Sequence, residues 1–362
     1  MQYMTPRDYA KIEIANQYGM DKLDWSDRIQ WVNNNDADLE SLTDRAEAPA
    51  QYHVAVCNWR TIQSGQPTNA TISLDATASG LALIALMMGD KQTAELTNVV
   101  FTGSRRDAYT DIHAATALSA VLRKDCKDSI LQSAYGGSVK AEEVYGDDIE
   151  VFHDTLDTVA PSILRFVDMT QRWWNPNVDT FGWTMPDGFD VDIPVMTKEM
   201  HSTTFMGKRI AVTQTVQAPV KFSKKMSAST IHSVDGFIVR ELLTRCNHTG
   251  IKVKDDPVML DQLNQLEEMT GFKSARKMFY DPKAKDEFIL PEQGFKILPV
   301  HDSFRTHIIH AHEMRKQYNQ LMFELAESKL LEHIADQLGH KMRPKPHQNW
   351  HSEILDAEYS IC

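Results

Sequence analysis

The sequence is poor in cysteine and has no long hydrophobic run. Its four cysteines, Cys57, Cys126, Cys246 and Cys362, lie far apart without a C-x-x-C pair, so neither a disulfide framework nor a cysteine zinc site is indicated. The longest apolar run, residues 81–88, is much shorter than the ~20 residues that cross a bilayer. The N-terminal residues mix acidic and basic side chains, unlike a signal peptide or a transit sequence. We therefore expect reduced thiols and a cytoplasmic protein.

Basic residues are also fewer than acidic ones. The 38 Lys and Arg against 50 Asp and Glu give a formal net charge of -12, which argues against non-specific adhesion of the whole surface to nucleic acid. The charge is uneven, since residues 141–192 hold twelve acidic and two basic side chains, whereas residues 196–225 hold six basic and one acidic. This asymmetry is typical of two solvated surfaces, and it also suits a local face that follows phosphates.

What the sequence does contain is the pattern of a mixed α/β (α+β) protein. The chain has 362 residues, enough for two or three domains or one large multi-lobed unit. Alternation over 71–74, followed by Asp75 and small residues, predicts a strand, a turn and a helix. Residues 106–134 lack proline and glycine, which predicts one long helix ending at a glycine pair. Residues 294–300 predict another strand, and residues 307–339 predict a helix.

Two aspartates follow the predicted strands. Asp75 comes after the first of them and Asp302 after the second, so both carboxylates can project from one edge of a sheet. An aspartate at a strand end is more often a turn former or a helix cap. Two converging carboxylates, however, suit a pair of magnesium ions roughly 3.5–4 Å apart, which serves in-line displacement at phosphorus.

A cationic face is predicted on the long helix. Arg123 and Lys127 are four residues apart, and Tyr135 follows near the end, so the three side chains span an arc of roughly 120°. Arginine can hold phosphate oxygens as a fork, lysine can neutralise or protonate a departing pyrophosphate, and tyrosine can meet a sugar or a base. The alternative is a solvated basic helix face with a capping aromatic.

Together these motifs resemble the single-subunit DNA-dependent RNA polymerases of phages and mitochondria, of which the phage T-seven enzyme is the usual representative. Leu-Asp-Ala-Thr-Ala-Ser-Gly at 74–80 resembles the first family motif, and His301-Asp302-Ser303-Phe304 is similar to the third. Arg123 with Lys127 and Tyr135-Gly136 has the spacing of the second. Further agreement lies around residues 19–32, 183–189 and 232–236, so the resemblance runs nearly end to end.

The resemblance implies a palm and fingers that join nucleotides with the help of two Mg²⁺ ions. Asp75 and Asp302 would hold the ions, and Arg123 and Lys127 would bind the incoming triphosphate, with Lys127 counted among the catalytic residues. Ala76 stands where the family usually has a glycine whose carbonyl helps to bind metal. That backbone carbonyl remains available, so Ala76 is kept as an expected metal contact.

The resemblance also implies the residues around the sugar and the base. Tyr135 would meet the ribose and the template base, next to Gly136, and His232 would lie on the sugar side of the nascent pair. His301 would support the neighbouring aspartate. Asp128 stands where a second cation is common in the family, which leaves the triphosphate contact at that position in question.

The expected organisation follows the same family. Residues 1–70 would be the palm entry and a partner-contacting segment, 71–100 the palm with the first motif, 101–195 the fingers, and 196–362 the palm with the histidine and third motifs and the tail. The thumb, the amino-terminal domain and a full-length promoter-reading hairpin are expected to be missing, as in the two-subunit polymerases of N-four-like phages. The expected partners are therefore a second polymerase subunit, DNA template, nascent RNA and NTPs, in the cytoplasm of an infected bacterium. Apolar N-terminal residues are candidates for the contact with the second subunit: Tyr3, Tyr9, Ile12, Ile14, Tyr18 and Trp25.

Three alternatives stay open. A pol-I-type DNA polymerase shares the aspartates and the lysine helix, but Ser303 stands where that type has glutamate, and Leu131 where it has a bulky aromatic. A catalytically silent architectural subunit predicts loss of the metal-binding residues, which are present. A histidine metal site would use His307, His310 and His312, but their spacing favours surface histidines.

Overall fold

The structure is a computed structural model that describes residues 1–362. It contains α-helices and β-strands in mixed order, which confirms the expected fold class. The helices are α1 Pro6–Tyr18, α2 Trp25–Asn35, α3 Pro49–Gln63, α4 Ser79–Met88, α5 Lys91–Leu96, α6 Ala108–Thr116, α7 Arg123–Ala134, α8 Val139–Tyr145, α9 Ile149–Val159, α10 Ser162–Gln171, α11 Lys225–Cys246, α12 Pro257–Thr270, α13 Ala311–Glu327 and α14 Leu330–Gln337. The strands are β1 Thr71–Asp75, β2 Thr180–Thr184, β3 Asp190–Pro194, β4 Met196–Phe205, β5 Lys208–Gln217, β6 Leu298–Val300 and β7 Ser303–His307. No helix combines the length and the apolar character that a membrane crossing requires.

A three-stranded antiparallel sheet with the order β1-β7-β6 carries the predicted aspartates. The β1 strand confirms the prediction at 71–74, because Ile72 and Leu74 are buried on one face while their neighbours point the other way. The strand predicted over 294–300 is confirmed only for its last three residues. The sequence also gave no strand at 303–307, although β7 is the central strand and holds the sheet together.

The helix predicted over 106–134 is two helices, so that prediction is wrong in its middle. Asp107 caps α6 by accepting hydrogen bonds from the backbone of Tyr109 and Thr110. The chain then leaves the helical path at Ala117, which takes a left-handed conformation with φ 54°. The break lets α6 and α7 fold back on each other and bury apolar positions of both. The predicted stop at the glycine pair is confirmed.

The helix predicted over 307–339 is also divided. Its first residues belong to β7 and a short 3-10 turn, and α13 begins at Ala311. Ser328 ends α13 in an extended conformation, and its hydroxyl accepts a hydrogen bond from the backbone of Leu330 at 3.4 Å. This break directs α14 toward β2, where His333 lies 3.0 Å from the carbonyl oxygen of Thr184.

The hydrophobic core surrounds α4, whose residues 80–87 are all buried. This helix contacts α5, α10, α11 and α13, so the segment that follows Asp75 is fixed on several sides. Packing of that kind holds the end of β1 in one position, because a helix that is apolar all round is stable only when it is surrounded.

The proposed N-terminal contact surface does not exist as predicted. Most of its members pack into the chain's own core, because α1 lies against α3 and β1 and the start of α2 packs beside α1. Tyr3 is 69% exposed, whereas the other members are half-buried (Tyr18) or buried (Tyr9, Ile12, Ile14 and Trp25).

The strands β4 and β5 form a long, exposed hairpin. They pair over ten residues each, from Met196 opposite Gln217 to Phe205 opposite Lys208. At its base the backbone of Ala218 donates a hydrogen bond to the carbonyl of Val195 at 3.0 Å. Nearly all its side chains are exposed. The region expected to carry only a shortened hairpin therefore contains a regular two-stranded one that carries part of the basic segment.

Candidate active site

The two predicted aspartates lie side by side at one end of the sheet. Asp75 is the last residue of β1 and is paired with Ser303, the first residue of the antiparallel strand β7. Asp302 comes directly before that strand, and its carbonyl accepts a hydrogen bond from the backbone of Ala76 at 2.9 Å. Since β1 and β7 run in opposite directions, the end of one and the start of the other bring these carboxyl groups to the same place.

Neither carboxylate is engaged by a side chain. Asp75 is exposed and Asp302 is half-buried, whereas the nearby Asp107 is paired with Arg123. Carboxylate oxygens that accept no hydrogen bond retain their lone pairs for a hard cation such as Mg²⁺. The residues present therefore fit a magnesium site, with the carbonyl of Ala76 beside them.

A cleft of about 700 Å³ opens over this end of the sheet. Its lining includes the end of β1, helix α7 and the turn before β7, which are far apart in the chain. The predicted site residues among its walls are Asp75, Ala76, Arg123, Lys127, Tyr135 and Asp302. The cleft thus brings together most of the residues that the sequence singled out.

The two cations of α7 differ in their present contacts. Lys127 makes no ion pair, and its ammonium lies 5.1 Å from the ring centroid of Tyr109. Arg123 is held by Asp107 and donates a hydrogen bond to Thr110 Oγ1 at 2.6 Å. Burial alone would raise the pKa of Asp107, but hydrogen bonds from Arg123 and Thr110 hold this pKa below its ordinary value. Lys127 is available to a phosphate, whereas Arg123 must exchange a partner to bind one.

Tyr135 stands at the end of α7 and forms another wall of the cleft. Its ring lies 5.4 Å from the ring of His232, measured between centroids. A Cβ atom at Gly80 would lie only 2.8 Å from the tyrosine hydroxyl, so the glycine leaves room for that hydroxyl. Burial, with the charges of Asp235 and Asp302, raises the pKa of Tyr135, which keeps the hydroxyl protonated as a hydrogen-bond donor.

Three predicted residues do not line the cleft. His232 lies against Tyr135 outside the lining, and the other two are Gly136 and His301. Gly136 is buried with φ 86°, and an added Cβ would lie 2.8 Å from the carbonyl oxygen of Lys224, so it shapes the end of α7. His301 is exposed in a left-handed turn with φ 55°, and its side chain makes no hydrogen bond with Asp302. The structure supports contact with a substrate for neither of them.

Asp235 also belongs to the site, although no role was predicted for it. It lies three residues after His232 on α11, so the two side chains share a helix face. Burial and the charge of Asp302 raise the pKa of Asp235, and the neighbouring histidines His232 and His301 oppose that rise. The i, i+3 spacing was the available signal, but the closeness to Asp302 depends on how α11 packs.

The C-terminal residues flank Asp75, which the sequence also did not indicate. Cys362 and Asp75 exchange backbone hydrogen bonds of 2.9 and 3.3 Å, and Ile361 bridges to Ala76. Although burial opposes it, the guanidinium groups of Arg28 and Arg105 hold the pKa of the Cys362 thiol below its usual value. The end of β1 is thereby fixed from a second side.

The histidines considered for a metal site do not share one position. The ring of His310 stacks on Phe295 with centroids 4.5 Å apart. His312 is 8% exposed and its Nδ1 lies 3.5 Å from the hydroxyl of Tyr9. The prediction that these are surface residues is therefore wrong for His312, because α13 directs this side chain toward the packed α1.

A sheet end with two free carboxylates, facing a helix that carries a free lysine, suits the transfer of phosphoryl and nucleotidyl groups. Residues 5–144 match the family model for DNA-dependent RNA polymerase. The chain is also similar to the mitochondrial DNA-directed RNA polymerase 1 of Arabidopsis thaliana, with 24% identity over an alignment of 310 residues that covers 67% of this chain. Both matches are to DNA-dependent RNA polymerases, which are nucleotidyltransferases.

Each of the two matches covers only part of the chain. The chain spans 32% of the length of the Arabidopsis relative. The segment that matches the family model contains Asp75, Arg123, Lys127 and Tyr135 but ends before Asp302. The position of the second aspartate in the site is therefore supported by the geometry of the sheet.

Proposed function

We propose that the chain is the catalytic part of a DNA-dependent RNA polymerase, which transfers a nucleotidyl group from an NTP to an RNA 3′ end on a DNA template. One observation is the main support for this proposal. Asp75 and Asp302, which are 227 positions apart in the sequence, meet at one end of the sheet in the cleft that also contains Lys127.

The residues suggest how the reaction proceeds. Two Mg²⁺ ions, held by Asp75 and Asp302 with the Ala76 carbonyl, would supply charge stabilisation at the reacting phosphate. The RNA 3′ hydroxyl attacks the α-phosphorus, its proton passes to solvent, and the bond to pyrophosphate breaks. Lys127 neutralises or protonates the departing pyrophosphate, and Arg123 holds the triphosphate after releasing Asp107.

The sugar and the base are proposed to lie near the end of α7. Tyr135 contacts the ribose and the template base, and His232 lies beside it on the sugar side. Gly136 contributes by letting the chain turn there, and His301 by shaping the turn that carries Asp302. We propose that the fingers comprise residues 101–195, with the remainder (1–70, 71–100 and 196–362) forming the palm and its entry.

We also propose a second polymerase subunit, besides DNA template, nascent RNA and NTPs, as a partner. The surface that supports a protein contact is the sheet edge at β6 and not the N-terminal helix. Leu298 and Val300 of this edge strand are 60% and 58% exposed and point to the same face. The proposed setting is the cytoplasm of a bacterium infected by an N-four-like phage, on the resemblance alone.

The proposal is tested by replacing each aspartate with asparagine. Asp75→Asn and Asp302→Asn keep the side-chain shape but remove the charge that a divalent ion requires, so Mg²⁺-dependent extension of an RNA primer on a DNA template should fall at least about a hundredfold. Asp44→Asn, on an exposed acid outside the cleft, is the control and should extend normally. Thermal unfolding should be the same in all variants. Near-normal extension by either cleft variant would contradict the role given to that aspartate.

A further inference from the structure

A second group of metal-binding side chains lies away from the cleft. Glu327 is the last residue of α13, and His347 and His351 belong to the segment that follows α14. The helix α13 has 17 residues and is therefore roughly 25 Å long, with the β7 side of the cleft near its first residue and this group at its last. The two sites are distinct.

The three side chains already point at a common position. His347 Nδ1 lies 3.0 Å from one carboxylate oxygen of Glu327, and His351 Nδ1 is hydrogen-bonded to the other oxygen. The three ligand atoms all lie within 4.8 Å of one another. Ligand atoms around a tetrahedral zinc ion, at about 2.0–2.2 Å from the metal, are themselves roughly 3.3–3.6 Å apart. Small shifts of the side chains would therefore bring the ligand atoms to these separations.

We propose that Glu327, His347 and His351 bind one Zn²⁺ ion, with water as the fourth ligand. Two imidazole nitrogens favour zinc or a similar transition metal over Mg²⁺, which prefers oxygen. The H-x₃-H spacing of the histidines is one that zinc sites use. This inference does not depend on the function proposed above.

Burial supports a built site with one open side. The side chain of His351 is 1% exposed, and its ring packs edge-on against Trp350 with centroids 4.5 Å apart. Its buried Nε2 atom has no partner, so Glu327 is the polar contact of this ring. His347 is 70% exposed and leaves a path for the ion and the water. The nearby cation, Lys345, donates a hydrogen bond to the Leu86 carbonyl at 3.0 Å.

The site would fasten the C-terminal segment to α13. His351 lies in a 3-10 helix over Asn349–Asp356 that packs on α13, and the chain then reaches the bridge between Ile361 and Ala76. A bound ion therefore stabilises a segment that ends beside Asp75 without taking part in the reaction. Its role is structural, with water in the open position instead of a substrate.

The experiment is a titration of the full chain with zinc sulfate in excess Mg²⁺, monitored by calorimetry. A second titration uses Co²⁺ in place of zinc and is monitored by visible absorption. We expect one ion per chain and, for Co²⁺, the intense bands of a tetrahedral site. Loss of even an outer-shell partner commonly weakens metal binding 10- to 100-fold, so His347→Ala should weaken it at least about tenfold. Because His347 is exposed, this variant should fold normally, and zinc should raise the melting temperature of the parent but not of the variant.

The control is His53→Ala. His53 Nε2 and Cys57 Sγ lie 3.6 Å apart on α3, so this pair is an alternative position at which zinc could bind. Binding that is unchanged in this control and weakened in His347→Ala and Glu327→Gln supports the proposal. Absence of a one-to-one site in the parent, equal affinity in His347→Ala, or loss of binding in His53→Ala instead, each overturns it.

Discussion

At the residue scale, the two cleft aspartates make no ion pair, unlike two other acids near them, Asp107 and Glu13. Asp107 is paired with Arg123, and Glu13, whose pKa burial raises, lies 3.5 Å from Arg305. Like charges in proximity are costly unless a cation or a proton relieves them. Two adjacent carboxylates without an ion pair, Asp75 and Asp302, are the arrangement that a site for divalent ions requires.

Tyr135 is expected to select the sugar. A site that pairs with a substrate hydroxyl rejects the analogue that lacks it, and the buried hydroxyl of Tyr135 remains protonated and free to donate. Tyr135→Phe should therefore reduce the preference for rNTPs over dNTPs at least about tenfold, with little change in rNTP incorporation. Single-nucleotide incorporation on one primed template, with each nucleotide in turn, measures the ratio.

Gly80→Ala provides a companion variant. The Cβ added by this substitution would lie 2.8 Å from the Tyr135 hydroxyl and must displace that end of the tyrosine ring. We therefore expect the same loss of preference for rNTPs over dNTPs, although the hydroxyl is still present. An unchanged ratio in Tyr135→Phe would show that this hydroxyl does not sense the sugar. A parent that prefers dNTPs would favour a DNA polymerase.

His312 is expected to make folding depend on pH. Burial, together with the charges of Arg315 and Lys316, lowers the pKa of His312 to about 4. The unfolded chain, with a histidine pKa near its ordinary value, binds more protons than the folded chain between about pH 4 and 6.5. Stability therefore rises with pH across this window, and His312→Gln should reduce that slope by up to about 1.4 kcal/mol per pH unit.

The measurement is urea unfolding of parent and variant at pH 5 and pH 7. Glu241 acts in the opposite direction, because burial raises its pKa to about 6, so stability falls with pH as its carboxyl titrates from about 4.5 to 6. The difference between parent and His312→Gln isolates the histidine from this effect. Equal slopes would show that His312 is protonated as readily in the folded chain as in the unfolded one.

The sequence predicted which residue types would meet but not how each would be paired. Asp75, Asp302 and Lys127 could be placed from strand ends and helix spacing alone. The pairing of Arg123 with Asp107 and the approach of Asp235 to Asp302 could not. These contacts join elements far apart in the chain and depend on packing, which local periodicity does not encode.

At the element scale, the two wrong helix predictions, over 106–134 and 307–339, have the same cause. The breaks at Ala117 and Ser328 carry neither proline nor glycine, so the sequence showed no interruption. Each break allows two short helices to bury apolar faces that a single straight helix would leave exposed. Tertiary packing there outweighed helix propensity, which amounts to a few tenths of a kcal/mol per residue. Where a glycine in a left-handed conformation ends the helix, as at Gly136, the prediction held.

The β4–β5 hairpin should be dispensable for folding. Its strands contact mainly each other, and its ends are joined by the hydrogen bond between Ala218 and Val195. Replacing residues 198–215 by Asn-Gly keeps the base of the hairpin and supplies a tight turn. We expect unchanged thermal unfolding and primer extension, together with weaker binding of duplex DNA and a smaller dependence of that binding on salt. Fluorescence anisotropy over a range of salt concentrations measures the last two.

A matched variant separates charge from shape in this hairpin. Lys198→Gln, Lys208→Gln and Arg209→Gln together keep both strands but remove the cations, and each lost phosphate contact should lower the salt slope by about one. Duplex binding that is the same in parent and hairpin-deleted protein would contradict contact with DNA. A loss of folding would contradict the independence of the hairpin.

At the scale of the whole molecule, charge and apolar surface are distributed unevenly. The net charge of -12 opposes DNA binding over most of the surface, so in the proposed function the basic positions near the cleft and on the hairpin would supply the attraction. The apolar N-terminal residues are used in the core, which leaves the exposed edge of β6 as the apolar surface closest in the chain to Asp302.

We expect the isolated chain to bind a primed template weakly and to extend it poorly, because in the two-subunit proposal the second subunit would close one side of the hybrid channel. Light scattering should show a monomer.

An affinity tag inserted after the exposed Gly65 leaves the core and cleft undisturbed and allows recovery of the chain from its native cells. A stoichiometric second chain recovered in this way should restore binding and extension when added to the pure protein. Leu298→Lys, on the edge strand, should weaken that association, with Lys283→Ala, an exposed position away from the sheet, as the control. A monomer that transcribes processively without any addition would contradict the two-subunit proposal.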